Sequence, residues 1–304
     1  MMDQEYRLYR LEKITRRLAK QESLFHYSPE NRKAWLEQQF LARTGKKLCL
    51  SCPQTFGEKL QWLKLYGHDP LAKLCANKLT ARDHVREKGF SSLLHNVYCV
   101  WDRPESIAFD DLPESFMIKA AHASGLNLIV AQKKQLDLER VRCVFRDVLK
   151  LNYYAIKGEW VYEGGPHALL VEELFPDLEA HPIDYKFFCF HGKVKAIQVL
   201  TAVDTHDLTD DTWAYFCDDD LNPLPVTYGY SPASAPLEKP SCFMEMKKAA
   251  TVLSADFPFV RVDFCVSEGK PWFGEFTFFP GAGYDTFDPD SFDAVMGGWL
   301  HLEG

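Results

Sequence analysis

Several motifs that identify common enzyme families are missing from this sequence. It has no P-loop, no GxGxxG dinucleotide fingerprint, no HExxH zinc motif and no GxSxG nucleophile elbow. Serine, histidine and aspartate are all present, but no local signature joins any three of them. These absences exclude four classes of protein: P-loop NTPases, Rossmann-fold dinucleotide-binding proteins, HExxH zinc proteases and α/β-hydrolases.

Long apolar segments and secretion signals are also missing. No apolar run approaches the length of a membrane span, and residues 1–20 carry charges throughout instead of an apolar signal core. No Asn-x-Ser/Thr glycosylation site occurs. The nine cysteines are an odd number, and several of them, such as Cys189 and Cys265, lie in apolar runs. We therefore expect a cytoplasmic protein without a transmembrane segment and with reduced cysteines.

The CxxC motif of this chain is incomplete as a metal or redox site. Pro53 follows Cys49 and Cys52 where a redox motif would open a helix. A structural zinc site would need a second cysteine pair, and no second CxxC occurs in the sequence. We predict that this motif has no functional role.

Charge is distributed unevenly along the chain. Residues 1–47 contain 11 Lys and Arg against 6 Asp and Glu, a balance of +5, so the remainder carries −13 and the whole chain −8. The acidic remainder excludes nucleic acid as a partner, because phosphate contacts need clustered cations. The basic segment fits the solvated face of an amphipathic helix, or a surface that contacts an anionic membrane or an acidic partner.

The pattern of apolar residues predicts two regions. Residues 1–78 form a helical N-terminal segment, in which apolar residues at helical spacing predict helices over 3–20, 29–43, 54–66 and a short one from Pro70. Residues 79–304 mix helices and strands, which predicts an α+β fold. The predicted strands there are 97–101, 116–121, 128–131, 168–175, 184–192, 193–200, 259–266 and 272–278. The predicted helices are 78–88, 135–150, 241–253 and 288–300, and segment 204–236 is predicted to be irregular.

The last two predicted strands form a hairpin whose turn contains Gly269 at a position that needs a positive φ. Period 2 places Arg261 and Asp263 on one face of the first strand, and Glu275 and Thr277 on one face of the second. Two carboxylates in an apolar hairpin repel each other unless a cation binds them, which favours a hard divalent ion. An Arg261–Asp263 salt bridge beside a solvated Glu275 fits the same pattern, so both interpretations stay open.

A second polar feature lies between two predicted strands. Lys119 lies near the end of the first of these strands, and a loop of small residues, 122–127, leads to the next. Such a loop can present backbone N–H groups to a phosphate while the lysine meets its oxygens. A simple β-turn followed by a surface lysine gives the same pattern.

These features occur in an order that resembles the ATP-grasp superfamily and, more closely, the TupA-like ATP-grasp proteins. The resemblance covers residues 76–304, so residues 79–304 are identified as a TupA-like ATP-grasp domain, with two α+β subdomains that grip ATP. It rests on five ordered motifs: Asn77–Arg82, Phe116–Asn127, Val171–Leu174, Asp184–Phe190, and Arg261–Asp263 together with Gly274–Gly281.

The resemblance implies a role for each candidate residue. Cations that contact the phosphates are Arg82, Lys119 and Lys186, with Ser124 and Gly125 in the mobile loop that covers them. The hinge that reads the adenine edge, largely through backbone groups, is Glu172, Glu173 and Phe175, and the ribose-binding acid is Asp184. An Asp184–Lys186 surface pair is the alternative for that position.

The metal site and the catalytic groups are implied in the same way. Asp263, Glu275 and Thr277 would hold one or two Mg²⁺ ions, or Mn²⁺, although many family members have asparagine where this chain has Thr277. Arg261 would steady the reacting acyl phosphate and, with Lys119, is implied to be catalytic. Two further departures are mild: Asn77 replaces the commoner aspartate, and the loop reads Ala-Ser-Gly instead of Gly-Ser-Gly.

The activity implied by the resemblance is ATP- and Mg²⁺-dependent carboxylate–amine ligation in cell-surface polysaccharide, peptide-polymer or natural-product biosynthesis. Its substrates would be a small carboxylate and an amine, such as a sugar acid, an amino sugar or an amino acid. Two alternatives stay open: a kinase that phosphorylates a hydroxyl, and a non-catalytic nucleotide-binding partner that docks a glycosyltransferase through its basic N-terminal helix.

Overall fold

Two sheets, built from residues 97–172 and 183–277, form the framework of the molecule, and all their strand pairs are antiparallel except the last pair of the larger sheet. The computed structural model describes residues 4–24, 31–175, 183–200, 213–232 and 237–302. Its strands are β1 (Val97–Trp101), β2 (Phe116–Ala120), β3 (Asn127–Val130), β4 (Leu169–Glu172), β5 (Ile183–Phe190), β6 (Lys193–Leu200), β7 (Trp213–Cys217), β8 (Thr227–Tyr228), β9 (Ser231–Pro232), β10 (Phe259–Ser267), β11 (Lys270–Thr277) and β12 (Phe287–Asp288). The small sheet has the order β1-β4-β2-β3, the large sheet β11-β10-β5-β6-β7-β9, and β12 pairs with β8.

Helices surround both sheets. They are α1 (Gln4–Leu24), α2 (Arg32–Thr44), α3 (Phe56–Tyr66), α4 (Pro70–Ala76), α5 (Ala81–Glu87), α6 (Leu138–Val148), α7 (Tyr153–Lys157), α8 (Phe243–Leu253) and α9 (Ser291–Trp299). Local signals explain several boundaries. At the start of α3, the Thr55 hydroxyl accepts a hydrogen bond from the Glu58 backbone N–H, and the Glu58 carboxylate accepts one from the Thr55 backbone N–H, a capping box. Gly45 ends α2 with φ +71°.

Each sheet has its own hydrophobic core. In the small sheet, Phe116 and Ile118 pack with Phe145 of α6 and with Leu8 and Leu11 of α1. The core of the large sheet is rich in aromatic residues and is covered by α8, with further side chains from α3 and α4, including Phe56, Leu60 and Cys75. The helices of residues 1–78 therefore contribute to both cores. A domain boundary at residue 79 stays a prediction.

Most predicted elements agree with the structure to within a few residues, and the predicted α+β class with a helical N-terminus is confirmed. The prediction that residues 204–236 are irregular is wrong in part, because residues 213–217 form β7. This short segment becomes a strand by pairing with the edge of β6, a long-range contact that local periodicity does not reveal. Residues 201–212 and 233–236 lie outside the described part of the chain. None of the helices within the described ranges combines the length and apolarity needed to cross a bilayer.

Candidate active site

A cavity of about 390 Å³ lies where the two sheets approach each other. Its wall contains Met117 and Lys119 of β2, Asp184 and Lys186 of β5, and a group of residues from the hairpin β10–β11. This volume lies in the range of small-molecule sites. Four cations and four carboxylates line the cavity: Lys78, Lys119, Lys186, Arg261, Asp184, Asp263, Glu275 and Asp285.

The hairpin β10–β11 brings together the two faces that the sequence predicts. Arg261 is paired with Thr277, and Asp263 with Glu275. The turn has two consecutive positive φ angles, 52° at Glu268 and 73° at Gly269. The register shifts after Asp263, and a Cβ on Gly274 would lie 3.1 Å from the Asp263 carbonyl oxygen. Glycine therefore allows the bulge that keeps both carboxylates beside each other.

Arg261 and Asp263 form a buried bidentate ion pair. The guanidinium donates from Nε to Asp263 Oδ1 at 2.7 Å and from Nη2 to Oδ2 at 2.6 Å. Nη2 also donates to Thr277 Oγ1 at 3.1 Å. Burial lowers the pKa of Arg261, but Asp263 outweighs it and the net shift is upward. The salt bridge that the sequence left open is thus present, and it orients Arg261 at the cavity wall.

Glu275, in contrast, is not the solvated carboxylate of the simpler interpretation. Its Oε2 lies 3.0 Å from Lys78 Nζ, and its side chain is 26% exposed. Burial raises its pKa, but the attraction of Lys78 and Arg261 is stronger and lowers the pKa to about 2. Lys78 also donates to the Ala123 carbonyl oxygen at 2.8 Å. This lysine therefore joins the small-residue loop 122–127 to the hairpin.

Sequence reasoning missed Lys78 as a site residue. It lies in the motif Asn77–Arg82, directly after Asn77, whose side chain donates to the Pro166 carbonyl oxygen at 2.9 Å. Lys78 lies before the start of α5, so helical periodicity does not predict the direction of its side chain. The signal that could have identified it is its position inside a motif that already carried the family resemblance.

Two cations predicted to contact phosphates meet on a single carboxylate. Glu172 accepts from Arg82 Nη1 at 2.9 Å and lies 2.7 Å from Lys119 Nζ. Arg82 Nη2 donates to the His95 carbonyl oxygen at 2.6 Å. Burial acts to raise the pKa of Glu172, but Lys119 and Arg82 bring it below its usual value. Among the described residues, Lys119 is part of the cavity wall, whereas Arg82 and Glu172 lie behind it.

The cavity has an aromatic end near the predicted hinge. Phe175 lines it and meets the ring of His95 edge-on at 4.6 Å, while His95 stacks on Trp272 at 4.5 Å. Burial and the nearby Lys119 lower the pKa of His95 to about 3, so this ring is neutral. Glu173 is exposed, and its backbone N–H donates to the Asn96 carbonyl oxygen at 2.9 Å. His95 and Trp272 are further residues that sequence reasoning missed.

Asp184 and Lys186 lie in the cavity wall, so the interpretation as a surface pair is wrong. Lys186 is buried, with Nζ 3.8 Å from Asp263 Oδ2. Burial raises the pKa of Asp184 to about 6. The positive charge of Lys186 acts to lower this pKa, and the negative charge of Asp263 acts to raise it. This carboxyl group can therefore exchange a proton near neutral pH.

Ser124 and Gly125 line the cavity at the other sheet. Gly125 has φ +76°, which glycine adopts without strain. At the start of the same loop, buried His122 stacks on His167 with ring centroids 4.1 Å apart, and its Nε2 lies 3.1 Å from the Val148 carbonyl oxygen. The base of the loop is thus anchored in the core, while its tip faces the cavity.

The hairpin supplies part of the oxygen ligands that a Mg²⁺ ion needs. No group of three or more His, Cys, Asp or Glu side chains could hold a metal ion by itself within the described ranges. Asp263 and Glu275 supply two carboxylates, and the Thr277 hydroxyl lies 3.4 Å from Glu275 Oε1. Mg²⁺ in nucleotide sites is commonly held by one or two carboxylates, with phosphate and water oxygens completing the shell. The donor set fits that arrangement.

Comparison with solved structures finds ligases. The D-alanine–D-alanine ligase of Bacillus anthracis, complexed with ATP, is 17% identical with a TM-score of 0.42, covering 67% of this chain and 55% of its own. The ATP-grasp ligase PsnB, complexed with a minimal precursor, is 10% identical with a TM-score of 0.40 and coverages of 73% and 59%. The D-alanine–D-alanine ligase of Helicobacter pylori is 15% identical with a TM-score of 0.41 and coverages of 79% and 68%. The chain thus spans little more than half the length of the first two proteins.

Comparison by sequence gives a family and no individual relative. No curated protein matches the chain. The TupA-like ATPgrasp family matches residues 58–301, so the match begins within α3 and includes both sheets and the whole cavity wall. Because it covers well over half of the sequence, the chain belongs to the TupA-like ATP-grasp family.

Proposed function

We propose that the cavity binds ATP together with Mg²⁺. A triphosphate brings several negative charges, and the four lining cations can neutralise them. The observation that carries the proposal is the pairing of Asp263 with Glu275 across the hairpin, inside that group of cations. Two adjacent acids are the ligands that a phosphate-bound Mg²⁺ requires from the protein.

The nucleotide has a defined orientation in this proposal. Its adenine lies at the aromatic end beside Phe175, against the backbone of Glu172 and Glu173, and Asp184 accepts from the ribose. The phosphates extend towards Lys119 and Lys186, with Ser124 and Gly125 above them. Arg82 contributes from behind the wall, since it shares Glu172 with Lys119. Binding of phosphates would draw Lys119 away from that carboxylate.

The metal would be held by Asp263 and Glu275, with Thr277 as a third oxygen donor. When bound there, Mg²⁺ would supply neutralisation of the negative charge on the phosphates. Both carboxylates already have cationic partners, Arg261 and Lys186 for Asp263 and Lys78 for Glu275. Lys78 and Arg261 lower the pKa of Glu275 and keep this acid ionised, which is the state a metal requires.

The reaction we infer is carboxylate–amine ligation. A substrate carboxylate oxygen attacks the γ-phosphorus of ATP, giving an acyl phosphate and ADP. An amine nitrogen then attacks the acyl carbon, an amide forms, and phosphate leaves with loss of the amine proton. Arg261, fixed by its two bonds to Asp263, presents positive charge where the carbonyl oxygen becomes negative. No protein nucleophile is needed, because the chemistry depends on positioning and charge.

Family membership also supports the class of pathway. We propose substrates among sugar acids, amino sugars and amino acids, used in the cytoplasm for assembly of a surface polysaccharide, a peptide polymer or a related natural product. The polar end of the cavity, where Tyr228, Tyr230 and Asp285 lie, is available for the acceptor. Tyr228 and Tyr230 belong to segment 204–236, part of which lies outside the described ranges.

Nucleotide binding is tested by melting curves with Mg²⁺ and a non-hydrolysable ATP analogue. Ligand at about 100 times Kd should add about 2.7 kcal/mol to the free energy of unfolding. For a chain of this size the melting temperature should rise by a few degrees. The rise should require Mg²⁺ and should shrink in Glu275→Gln, which removes a charge from the proposed metal site.

Glu245→Gln, an exposed change on α8, is the matched control and should keep the full rise. A rise that is independent of Mg²⁺, or equal in Glu275→Gln and in the control, would contradict the metal assignment. No rise in the native protein would favour a non-catalytic partner of a glycosyltransferase over an enzyme.

Ligase and kinase activities are separated by hydroxylamine. A ligase given its carboxylate, ATP and hydroxylamine should yield a hydroxamate, because the acyl phosphate is trapped. A kinase forms no acyl phosphate and should instead release a phosphorylated alcohol. Sugar acids and amino acids are screened in this assay to identify the substrate, with Arg261→Met as the inactive control. If only a phosphate ester appears, ligation is rejected.

A further inference from the structure

The outer surface of α1 carries mostly positive charge, and one of its cations, Arg16, pairs with Glu12 at 2.5 Å. Six exposed residues follow one another along this helix: Tyr6, Tyr9, Lys13, Arg16, Arg17 and Lys20. At 3.6 residues per turn they occupy about a third of the helix circumference. We call this set the basic stripe. The opposite side of α1, with Leu8, Leu11 and Leu18, is buried in the small-sheet core.

The acids of α1 face the protein instead. Arg140 of α6 donates to Glu5 at 3.2 Å and to Glu12 at 2.9 Å, and Glu22 accepts from the Asn152 backbone N–H at 3.2 Å. The hydrogen bond from Arg140 lowers the pKa of Glu12, so this acid stays ionised in that contact. A helix face that is merely solvated usually mixes both signs. Here the carboxylates contact Arg140 and Asn152, and Glu12 also accepts from Arg16 at 2.5 Å. Lys13, Arg17 and Lys20 stay exposed on the outward face.

Two tyrosines complete the stripe at its N-terminal end. Tyr6 and Tyr9 are 48% and 46% exposed, with ring centroids 6.5 Å apart. Lys13 Nζ lies 5.4 Å from the Tyr9 ring centroid. Tyrosine next to lysine and arginine is the composition of helices that lie at a lipid–water interface.

We propose that the basic stripe docks the protein on an anionic lipid surface. The stripe is straight and extends over about 22 Å, at 1.5 Å per residue, which suits a flat, diffuse array of negative charge. Residues 48–304 carry a balance of −13, so the rest of the molecule is repelled by the same surface. Attraction at one helix and repulsion elsewhere give a single docked orientation.

The test is flotation of the full chain with vesicles of equal phosphatidylglycerol and phosphatidylcholine, compared with phosphatidylcholine alone. The protein should float only with the anionic vesicles, and raised NaCl should release it. Each basic residue near such a surface changes the partition coefficient about fivefold. The triple variant Lys13→Glu/Arg17→Glu/Lys20→Glu should therefore lose binding by at least a hundredfold.

The matched control is Lys33→Glu/Lys193→Glu/Lys195→Glu, which changes the net charge equally at exposed positions on α2 and β6. It should bind anionic vesicles far more tightly than the stripe variant. Equal loss in both variants would mean that total charge, and not the stripe, governs binding, and would overturn the proposal. Failure of the native protein to float with anionic vesicles would overturn it too, and retention on immobilised polyglutamate would then point to an acidic protein.

Folding of the stripe variant is checked separately by its melting temperature and by the nucleotide-induced rise described above. Both should match the native protein, because the substituted side chains are exposed and lie away from the cavity wall. This docking does not depend on the proposed ligase activity. An inactive protein that still floats would leave the inference intact.

Discussion

Lys78 shows how one residue joins two parts of the site. Its ammonium group bonds both the Ala123 carbonyl oxygen and Glu275, so the small-residue loop and the hairpin share a cation. Lys78→Met should weaken binding of the Mg²⁺-bound ATP analogue by about tenfold to a hundredfold, since a charged hydrogen bond contributes about 1.5–3 kcal/mol. Calorimetric titration measures the change.

Two comparisons make the Lys78 experiment specific. Lys78→Arg keeps the charge and should recover part of the affinity. Lys73→Met removes a half-exposed lysine of α4 that pairs with Glu163 and should bind as the native protein does. Affinity in Lys78→Met equal to that in Lys73→Met would show that this lysine has no part in nucleotide binding.

His122 makes stability depend on pH. Burial, together with the adjacent His167, lowers its pKa from 6.5 to about 4. Between these values the unfolded chain binds more protons than the folded one, so the free energy of unfolding falls as pH falls from 6.5 towards 4. At pH 5 the loss from this histidine is about 2 kcal/mol.

Urea unfolding at pH 7.5 and pH 5 measures that loss. His122→Gln should lose about 2 kcal/mol less than the native protein between these two pH values. Neutral His95 acts in the same direction in both proteins, so its contribution cancels in the comparison. His68→Gln, at an exposed position, should behave as the native protein, and an equal loss in all three would reject the assignment.

At the scale of elements, α3 supports the turn that follows the hairpin. Residues 281–283 all have positive φ, including 54° at Ala282, a conformation that costs free energy for a residue with a side chain. Gln61 donates to the Ala282 and Gly283 carbonyl oxygens, each at 3.0 Å, and Lys64 donates to Ala282 at 2.6 Å. Fully buried side chains of α3 thus hold a turn whose first residue lines the cavity.

Lys64→Met tests this support. Burial lowers the pKa of Lys64 and raises that of Glu159, a buried acid whose charge acts on Lys64. Removing the lysine leaves the buried Ala282 carbonyl oxygen without this donor and removes one of the two cations, with Lys157, that act on Glu159. The free energy of unfolding should therefore fall by about 1–3 kcal/mol. The double variant Lys64→Met/Glu159→Gln should recover part of the loss, as urea unfolding would show. A double variant less stable than Lys64→Met would contradict the coupling.

At the scale of the whole molecule, neither core is complete without residues that precede position 79. Leu8, Leu11 and Leu18 belong to the core of the small sheet, and Phe56 and Leu60 to that of the large sheet. Fragment 79–304 should therefore lack a cooperative urea transition, while the full chain shows one. A cooperative transition in the fragment would establish residue 79 as the start of an independent domain.

Much of the site was predictable because its information is local. Period 2 predicts that Arg261 shares a face with Asp263, and Glu275 with Thr277. The bulge after Asp263, which the structure reveals, then sets Asp263 opposite Glu275. The small-residue loop between β2 and β3 was predictable too, and it lies between paired strands. Their roles towards nucleotide and metal stay predictions that the experiments above address.

The sequence by itself determined the helices, most of the strands, the hairpin with its turn, and the family motifs, since periodicity and turn chemistry act over a few residues. Only the tertiary structure decided which charges meet: Lys78 with Glu275, and Arg82 with Lys119 on Glu172. It also decided that α1 packs on one sheet while α3 packs on the other. These contacts join residues distant in the chain, and their free energy comes from burial and charge pairing that no local pattern encodes.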